Sequence, residues 1–324
     1  MFSVSKTPLS TATAQEIVSH HFGSDVRLRS CAELTDGYFN AAYKLELTDG
    51  QVCVLKIAPP ANVRVLRYER DIMKTEVEVL RLARVHTNMP APRVLFYDDS
   101  QRIMANPFFA MEFLPGVPFN KIKAEMATAD RLAVERAVGG YLRQMNEISG
   151  AHFGLFAHPD RQSPQWRAAF AVLVDDVLTD GKEMQVALPL GYDELAARLA
   201  ARGAALDEVT SPRLVHWDLW DGNIFVDPNT HHITGIIDFE RALWADPLME
   251  CNFGAFGGVS PAFAEGYGRP MLQTESEQRR RALYNVYLYL IMIIECYYRR
   301  YENDKQETWA RGQLQRELDG ALLS

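Results

Sequence analysis

Residues 213–240 constrain this chain more than any other stretch. The segment His216-Trp217-Asp218-Leu219-Trp220-Asp221-Gly222-Asn223 runs straight into a short strand-forming run, Asn223 to Val226. A second run, Ile233 to Ile237, follows after Asp227-Pro228-Asn229-Thr230-His231-His232. Asp, Pro and Asn between two apolar runs are turn chemistry, so the runs are expected to pair as a hairpin. Asp238-Phe239-Glu240 comes next. Polar groups therefore cluster at both ends of one rigid ribbon.

The surrounding sequence divides into two styles. Residues 11 to 22 have the spacing of a short amphipathic helix. Residues 26 to 57 alternate as strands do, with Ala41 to Leu47 and Val52 to Ile57 separated by the hairpin signal Thr48-Asp49-Gly50. From Tyr68 to Val85 the apolar residues Ile72, Val77, Val79, Leu80 and Leu82 fall at helical spacing, and Pro90-Ala91-Pro92 punctuates the end. Arg93 to Tyr97 and Phe108 to Phe113 are two further expected strands. Leu114-Pro115-Gly116 then breaks the pattern, and the remainder is mainly helical. The expected class is α+β and bilobal, with a small β-rich N-lobe over residues 1–113 and a larger, mainly helical C-lobe over 114–324. At 48% hydrophobic residues, a chain of 324 can bury roughly 70–75% of its unfolded surface.

Composition removes several function classes. Lys and Arg number 34 against 42 Asp and Glu, a formal charge of -8. Nucleic-acid binding needs concentrated basic residues, so it is not expected, whereas a cationic small partner suits the balance. Cys31, Cys53, Cys251 and Cys296 are scattered without a CxxC pair, which argues against a disulfide framework or a thiolate zinc site. The N-terminus lacks an apolar leader core, so the expected location is cytoplasmic. Tyr284 to Tyr298 is strongly apolar, yet it falls short of the roughly 20 residues of a span and contains Asn285 and Glu295. A buried helix is expected there, with Glu295 partly exposed at its edge or facing a substrate.

Phosphoryl transfer asks for an acceptor oxygen aimed at phosphorus and for phosphate charge neutralised by metal and cations. Asp218 and Asn223 are spaced as a base and a magnesium ligand would be, and Asp238 across the hairpin offers a second hard oxygen donor. These residues resemble the aminoglycoside phosphotransferase family, whose relatives include choline, homoserine, methylthioribose and ketosamine kinases. The resemblance spans most of the chain. It takes in Gly37 and Asn40 of DGYFNAAY, Lys56 of VLKI, Glu76 in the following helix, and Met111, Glu112 and Phe113 of MEFLPG. It continues through the His-x-Asp-x4-Asn loop to Asp238 and Asp246-Pro247.

The resemblance implies a protein-kinase-like fold and an enzyme using ATP, or GTP, with Mg²⁺. Gly37 and Asn40 would cover the phosphates, and Lys56 would contact them while pairing with Glu76. Met111 to Phe113 would form the interlobe hinge, with Glu112 and Phe113 offering backbone groups to the adenine. Asp218 would meet the acceptor hydroxyl, and Asn223 and Asp238 would hold magnesium. Glu69 and Glu78 share a helix with Glu76, whose setting in EVEVLRL is closer to the family pattern.

His216 is expected to support the loop beneath Asp218, and His231 and His232 to sit at a hairpin tip without metal. Asp246 and Glu250 are expected to brace the loop, with Pro247 at the first position of a helix. A protein kinase is disfavoured, because Trp217 stands where such enzymes place Arg and only seven residues separate Asp238 from Asp246. The acceptor is therefore expected to be a small molecule, and the protein a monomer or homodimer without membrane attachment. The expected acceptor is aminoglycoside-like or another amine-bearing molecule, which would draw on Asp175, Asp176, Glu183 or Glu265, each otherwise a solvated charge. HWDLWDGN also resembles the HGDLWSGN signature of ketosamine kinases, which adds ketosamines, amino sugars and amino alcohols as acceptors. Trp217 departs from both patterns and would either reshape the acceptor pocket or pack under the loop. A nucleotide-binding scaffold without turnover is the non-enzymatic alternative.

Overall fold

The computed structural model describes residues 6–35, 37, 39–256, 258–301 and 303–320. Helix α1 (Thr11–Phe22) starts where the Ser10 hydroxyl accepts the Thr13 N–H. Strands β1 (Leu28–Leu34), β2 (Ala41–Leu47) and β3 (Val52–Ile57) follow, then helix α2 (Ile72–His86), β4 (Val94–Asp98) and β5 (Phe108–Glu112). The five strands form one antiparallel sheet in the order β1-β2-β3-β5-β4. Alternation in β3 sends Cys53, Leu55 and Ile57 into the core shared with α1, and Val54 to the opposite face. Lys56 follows Val54 by two residues and so shares that second face, toward α2. Helix α2 begins at Ile72 rather than Tyr68, because Asp71 adopts a left-handed conformation (φ 56°) and Arg67–Glu69 form a separate 3₁₀ turn.

Beyond β5 the chain crosses through Leu114-Pro115-Gly116. Gly116 has φ +121°, and a Cβ there would lie 2.7 Å from the Val226 carbonyl oxygen, so the crossing requires glycine. Thr234 Oγ1 donates to Pro115 O (2.5 Å) and Ile236 N–H to Pro90 O (2.9 Å). The first part of the molecule is thereby fastened to the hairpin that carries the polar residues.

The second part comprises β6 (Val117–Pro118), α3 (Phe119–Ile122), α4 (Thr128–Glu147), β7 (Gly154–Leu155), α5 (Trp166–Glu183) and α6 (Tyr192–Ala201). It continues with β8 (Arg213–Val215), β9 (Ile224–Val226), β10 (Ile233–Ile236), β11 (Leu243–Ala245), α7 (Pro261–Tyr267), α8 (Glu275–Arg299) and α9 (Lys305–Asp319). The strands make two small sheets, β10-β9-β6 and β7-β11-β8. Helix α8 opens on a reciprocal cap between Thr274 and Glu277 and is buried along most of its length. No described helix is long and apolar enough to cross a membrane. Its polar residues are satisfied inside the protein: Asn285 Nδ2 donates to Glu317 Oε1 (2.6 Å). Glu295 is only 4% exposed, not the helix-edge residue expected, because Arg241 and Arg299 supply cations beside it.

Candidate active site

Lys56, Glu76 and Asp238 come from three separate elements and meet. The Lys56 Nζ donates to Glu76 Oε1 (2.7 Å), Glu76 Oε2 (2.9 Å) and Asp238 Oδ1 (2.9 Å). The neighbouring carboxylates are placed otherwise: Glu69 accepts the Leu66 N–H and an Arg299 N–H, and Glu78 is half-buried. Glu240 accepts from Asn40 Nδ2 (2.6 Å), which ties the turn between β1 and β2 to the far end of the hairpin ribbon. Gly37 is exposed in that turn, while Asp36 and Tyr38 of the same motif lie outside the described residues.

Glu76, Asp238 and Glu240 bring carboxylate oxygens within 4.8 Å of one another. Burial pushes Glu76 and Glu240 upward. It acts on Asp238 in the same sense, but Lys56, through its charge and its hydrogen bond, together with Arg241 holds that carboxyl below its ordinary value. Burial opposes the charge on Lys56 too, and Asp238 and Glu76 overcome it. One ammonium serves three carboxyl groups, of which only Asp238 is held below its ordinary value, so the cluster offers hard oxygen donors that a divalent cation such as Mg²⁺ would suit. The residues present therefore fit that ion.

Strand β8 delivers the chain to the loop. Glu250, fully buried, accepts the His216 N–H on Oε1 (2.8 Å), the Trp217 N–H on Oε2 (2.8 Å) and Asn146 Nδ2 on Oε1 (3.1 Å). Asp246 does not share this task. It caps Leu248 N–H and accepts from Arg280 Nε and Tyr284 Oη (both 2.9 Å), binding Pro247–Met249, a 3₁₀ turn that Pro247 begins, to α8. His216 is buried, which lowers its pKa to about 4 and keeps it neutral, and its Nδ1 accepts the Asp218 N–H (3.3 Å). The ring sits beneath the loop. Asn223 Nδ2 donates to Asp218 O (2.8 Å), which fixes the amide and leaves Oδ1 as acceptor. The Ile237 N–H donates to Asn223 O (3.0 Å), registering the loop against the strand that leads to Asp238.

Trp217 packs under the loop. It is 2% exposed, stacks on Tyr287 (centroids 5.3 Å, 12°) and meets Tyr68 edge-on (6.1 Å, 74°). Asp218 instead lines a cleft of about 620 Å³ together with Trp220, Asp221, Arg241, Glu295 and Arg299. Burial pushes the Asp218 carboxyl up to about 7; Arg241, whose Nε lies 3.8 Å away, opposes the rise and Asp238 adds to it. Trp220 is 45% exposed. A Cβ on Gly222 would lie 2.2 Å from the Trp220 ring, so glycine lets the indole lie across the loop.

The residues named for the hinge and for an amine behave unequally. Met111 is buried and paired with Val54 and Val94. The Glu112 N–H is engaged by Arg93 O (2.9 Å) and cannot also serve a ligand. Phe113 lies beneath the Lys44 ammonium, 5.0 Å from its ring centre. None of Asp175, Asp176, Glu183 and Glu265 lines the cleft. Asp176 is buried, not solvated, because Arg161 pairs with it (2.8 Å). Glu183 meets Arg64 and Arg67, and Glu265 meets Arg136. His231 at the hairpin tip is not simply solvated either, since Nδ1 lies 2.9 Å from Asp130 Oδ2. Arg241 and Arg299 were not among the residues expected from the sequence, and Trp220 was expected only as part of the HWDLWDGN motif; Arg241 had a visible signal in its place three residues after Asp238 in the same turn.

Known proteins share this fold. A probable ketoamine kinase of Vibrio parahaemolyticus is 25% identical over 219 residues, covering 66% of this chain and 71% of that protein. The crystal structure of a proposed fructosamine-3-kinase from Haemophilus somnus superposes with a TM-score of 0.70 at 16% identity, covering 94% of this chain and 96% of that one. The streptomycin–ATP ternary complex of the aminoglycoside phosphotransferase APH(2")-IIa gives a TM-score of 0.62 at 16% identity, covering 96% and 97%. These likenesses show a kinase-like bilobal α+β fold. The family model described as APH, phosphotransferase enzyme family, matches residues 30–283, and the chain belongs to that family.

Proposed function

We propose that this protein transfers the γ-phosphoryl group of ATP to a hydroxyl of a small molecule. The observation that carries the reading is the open end of the hairpin, where the loop of Asp218 and Asn223 enters one strand and Asp238, bonded to Lys56 at 2.9 Å, follows the other. The acceptor O–H donates to the Asp218 carboxylate. As its oxygen bonds to the γ-phosphorus, the bond from phosphorus to the β–γ bridging oxygen breaks, that oxygen leaves with the electron pair as ADP, and the proton passes to Asp218. Asn223 and Asp238 would hold Mg²⁺, which supplies charge neutralisation at the phosphates when bound. Lys56, fixed by Glu76, contacts the phosphates beneath the turn of Gly37 and Asn40. Met111, Glu112 and Phe113 border the base, with the Glu112 carbonyl rather than its N–H facing it. In this reading residues 1–113 serve the nucleotide and 114–324 the catalysis and the acceptor. ATP in one superposed structure and GDP in others support a purine nucleotide and leave GTP to be compared with ATP.

A ketosamine or amino-sugar acceptor is the second reading, favoured by the loop HWDLWDGN and by the names of the relatives. Four free cysteines suit a reducing cytoplasm. The test is ATP and GTP consumption with magnesium across aminoglycosides, ketosamines, amino sugars, amino alcohols and a generic peptide. Asp218→Ala should lower transfer on the order of 10²- to 10⁴-fold while Mg-ATP binding persists. Turnover at the wild-type rate in that variant refutes the base assignment, and binding of Mg-ATP without any acceptor response favours the scaffold.

A further inference from the structure

Apart from Asp218 itself, the carboxylates lining this cleft are already partnered. Glu295 Oε2 faces Arg241 Nη2 (3.2 Å) and Arg299 Nη2 (3.4 Å), and its Oε1 accepts from Gln306 Nε2 (2.6 Å). Asp221 is paired with Lys123, and Glu135 accepts from Ser260 Oγ. A polyamine entering this cleft would have to displace those partners to reach a carboxylate other than Asp218, and displacing the cations from Glu295 would strand charge in a poorly solvated place.

The cations are placed differently. Two guanidiniums, Arg241 and Arg299, line the cleft and share Glu295; Arg241 also lies beside Asp218, and Arg299 donates to Tyr301 Oη (3.1 Å) and meets its second anion, Glu69, from outside the cleft lining. The Arg241 Nε is 3.8 Å from Asp218, too far for a hydrogen bond. The Arg299 Nε is buried and donates to nothing among the described residues. Planar guanidinium forks match carboxylates in shape as well as charge.

We propose that the acceptor carries a carboxylate, held by Arg241 and Arg299 a few atoms from the hydroxyl that receives the phosphoryl group. The substrate class is then a small hydroxylated acid rather than a polycationic aminoglycoside. This rests on the reading of Asp218 as the group that meets the hydroxyl. It makes Arg241 and Arg299 specificity residues, which composition alone argued against by pointing to a cationic partner.

The test is calorimetric binding to the wild-type protein with magnesium and a non-hydrolysable ATP analogue, so that the ranking does not depend on turnover. Two matched sets serve as probes. One is homoserine, its methyl ester and 3-aminopropan-1-ol; the other is fructosyl-leucine, its methyl ester and fructosyl-isoamylamine. Kanamycin represents the polycations. A charge-assisted pair of hydrogen bonds predicts that the acid of at least one set binds about 10- to 100-fold tighter than both of its uncharged-end partners. Arg299→Met should erase that preference and Arg299→Lys should reduce it. Esters and amines that bind as tightly as the acids, acids that do not bind, or kanamycin binding more tightly than every acid would each overturn the proposal. Phosphorylation of kanamycin without acid preference leaves the kinase reading standing and removes this one; acid binding without phosphate transfer does the reverse.

Discussion

Replacing Trp217 separates packing from pocket shaping at the position where this loop departs from its relatives' pattern. The side chain is 2% exposed and stacked on Tyr287, so truncation to Ala should cost about 3–5 kcal/mol through lost contacts and a residual cavity. The backbone at Trp217 has φ 62°, a left-handed conformation that costs a residue bearing a Cβ about 1–2 kcal/mol. Glycine escapes that cost and forfeits about 0.5–1 kcal/mol of unfolded-chain entropy, so Trp217→Gly should be the more stable truncation by roughly 0.5–1 kcal/mol. That order reverses the usual one. The Trp217 N–H bond to Glu250 (2.8 Å) is a backbone contact that both variants keep. Urea denaturation of the wild type, Trp217→Ala and Trp217→Gly, read as transition midpoints with m-values compared, gives the ranking. Since Trp217 is not among the residues lining the cleft, Trp217→Phe should leave the acceptor KM within a few-fold. An Ala variant at least as stable as the Gly variant, or truncations near wild-type stability with a large acceptor KM change, would refute the packing account.

Three further outcomes follow from the same geometry. Lys56→Met removes the ammonium facing Glu76, which is 0% exposed, and should cost about 3–5 kcal/mol in denaturation; adding Glu76→Gln should recover at least about 1 kcal/mol, whereas strict additivity would contradict a coupled buried pair. Burial raises Asp218 to about 7, and the base works only when deprotonated, so kcat/KM for the acceptor should fall about tenfold per pH unit below that point. A profile flat from pH 5 to 8 would count against it. Glu250→Gln turns one acceptor into an amide donor that faces a backbone N–H of His216 or Trp217, at about 1–3 kcal/mol. Transfer should slow while the nucleotide Kd stays unchanged, and an unaltered kcat would show that the loop does not depend on this brace.

Local pattern carried much of the fold. The limits Ala41–Leu47 and Val52–Ile57 and the helix Thr11–Phe22 could be read directly, because strand alternation and turn residues are properties of a few neighbours. The start of α2 could not, since the left-handed Asp71 leaves no mark in the apolar spacing. Among the proposed site residues, Asp218, Asn223 and Asp238 could be nominated together because a loop and a hairpin fix their separation along one short stretch. Lys56 and Glu76 were legible only through resemblance, being joined across two elements.

What the sequence determined by itself, then, was the chemistry that short-range geometry can enforce: a hairpin with a carboxylate and an amide leading into one strand and a second carboxylate following the other, all at its open end. The tertiary structure decided which charges remain available. Glu295 changed from a helix-edge residue to a buried partner of Arg241 and Arg299, and Trp217 became core. Charge compensation depends on residues far apart in the chain, such as Arg299 and Glu69, brought within bonding distance only when the helices pack. Linear charge counting sees the same residues and misses the pairing, by which the folded cleft sets Arg241 and Arg299 against Glu295.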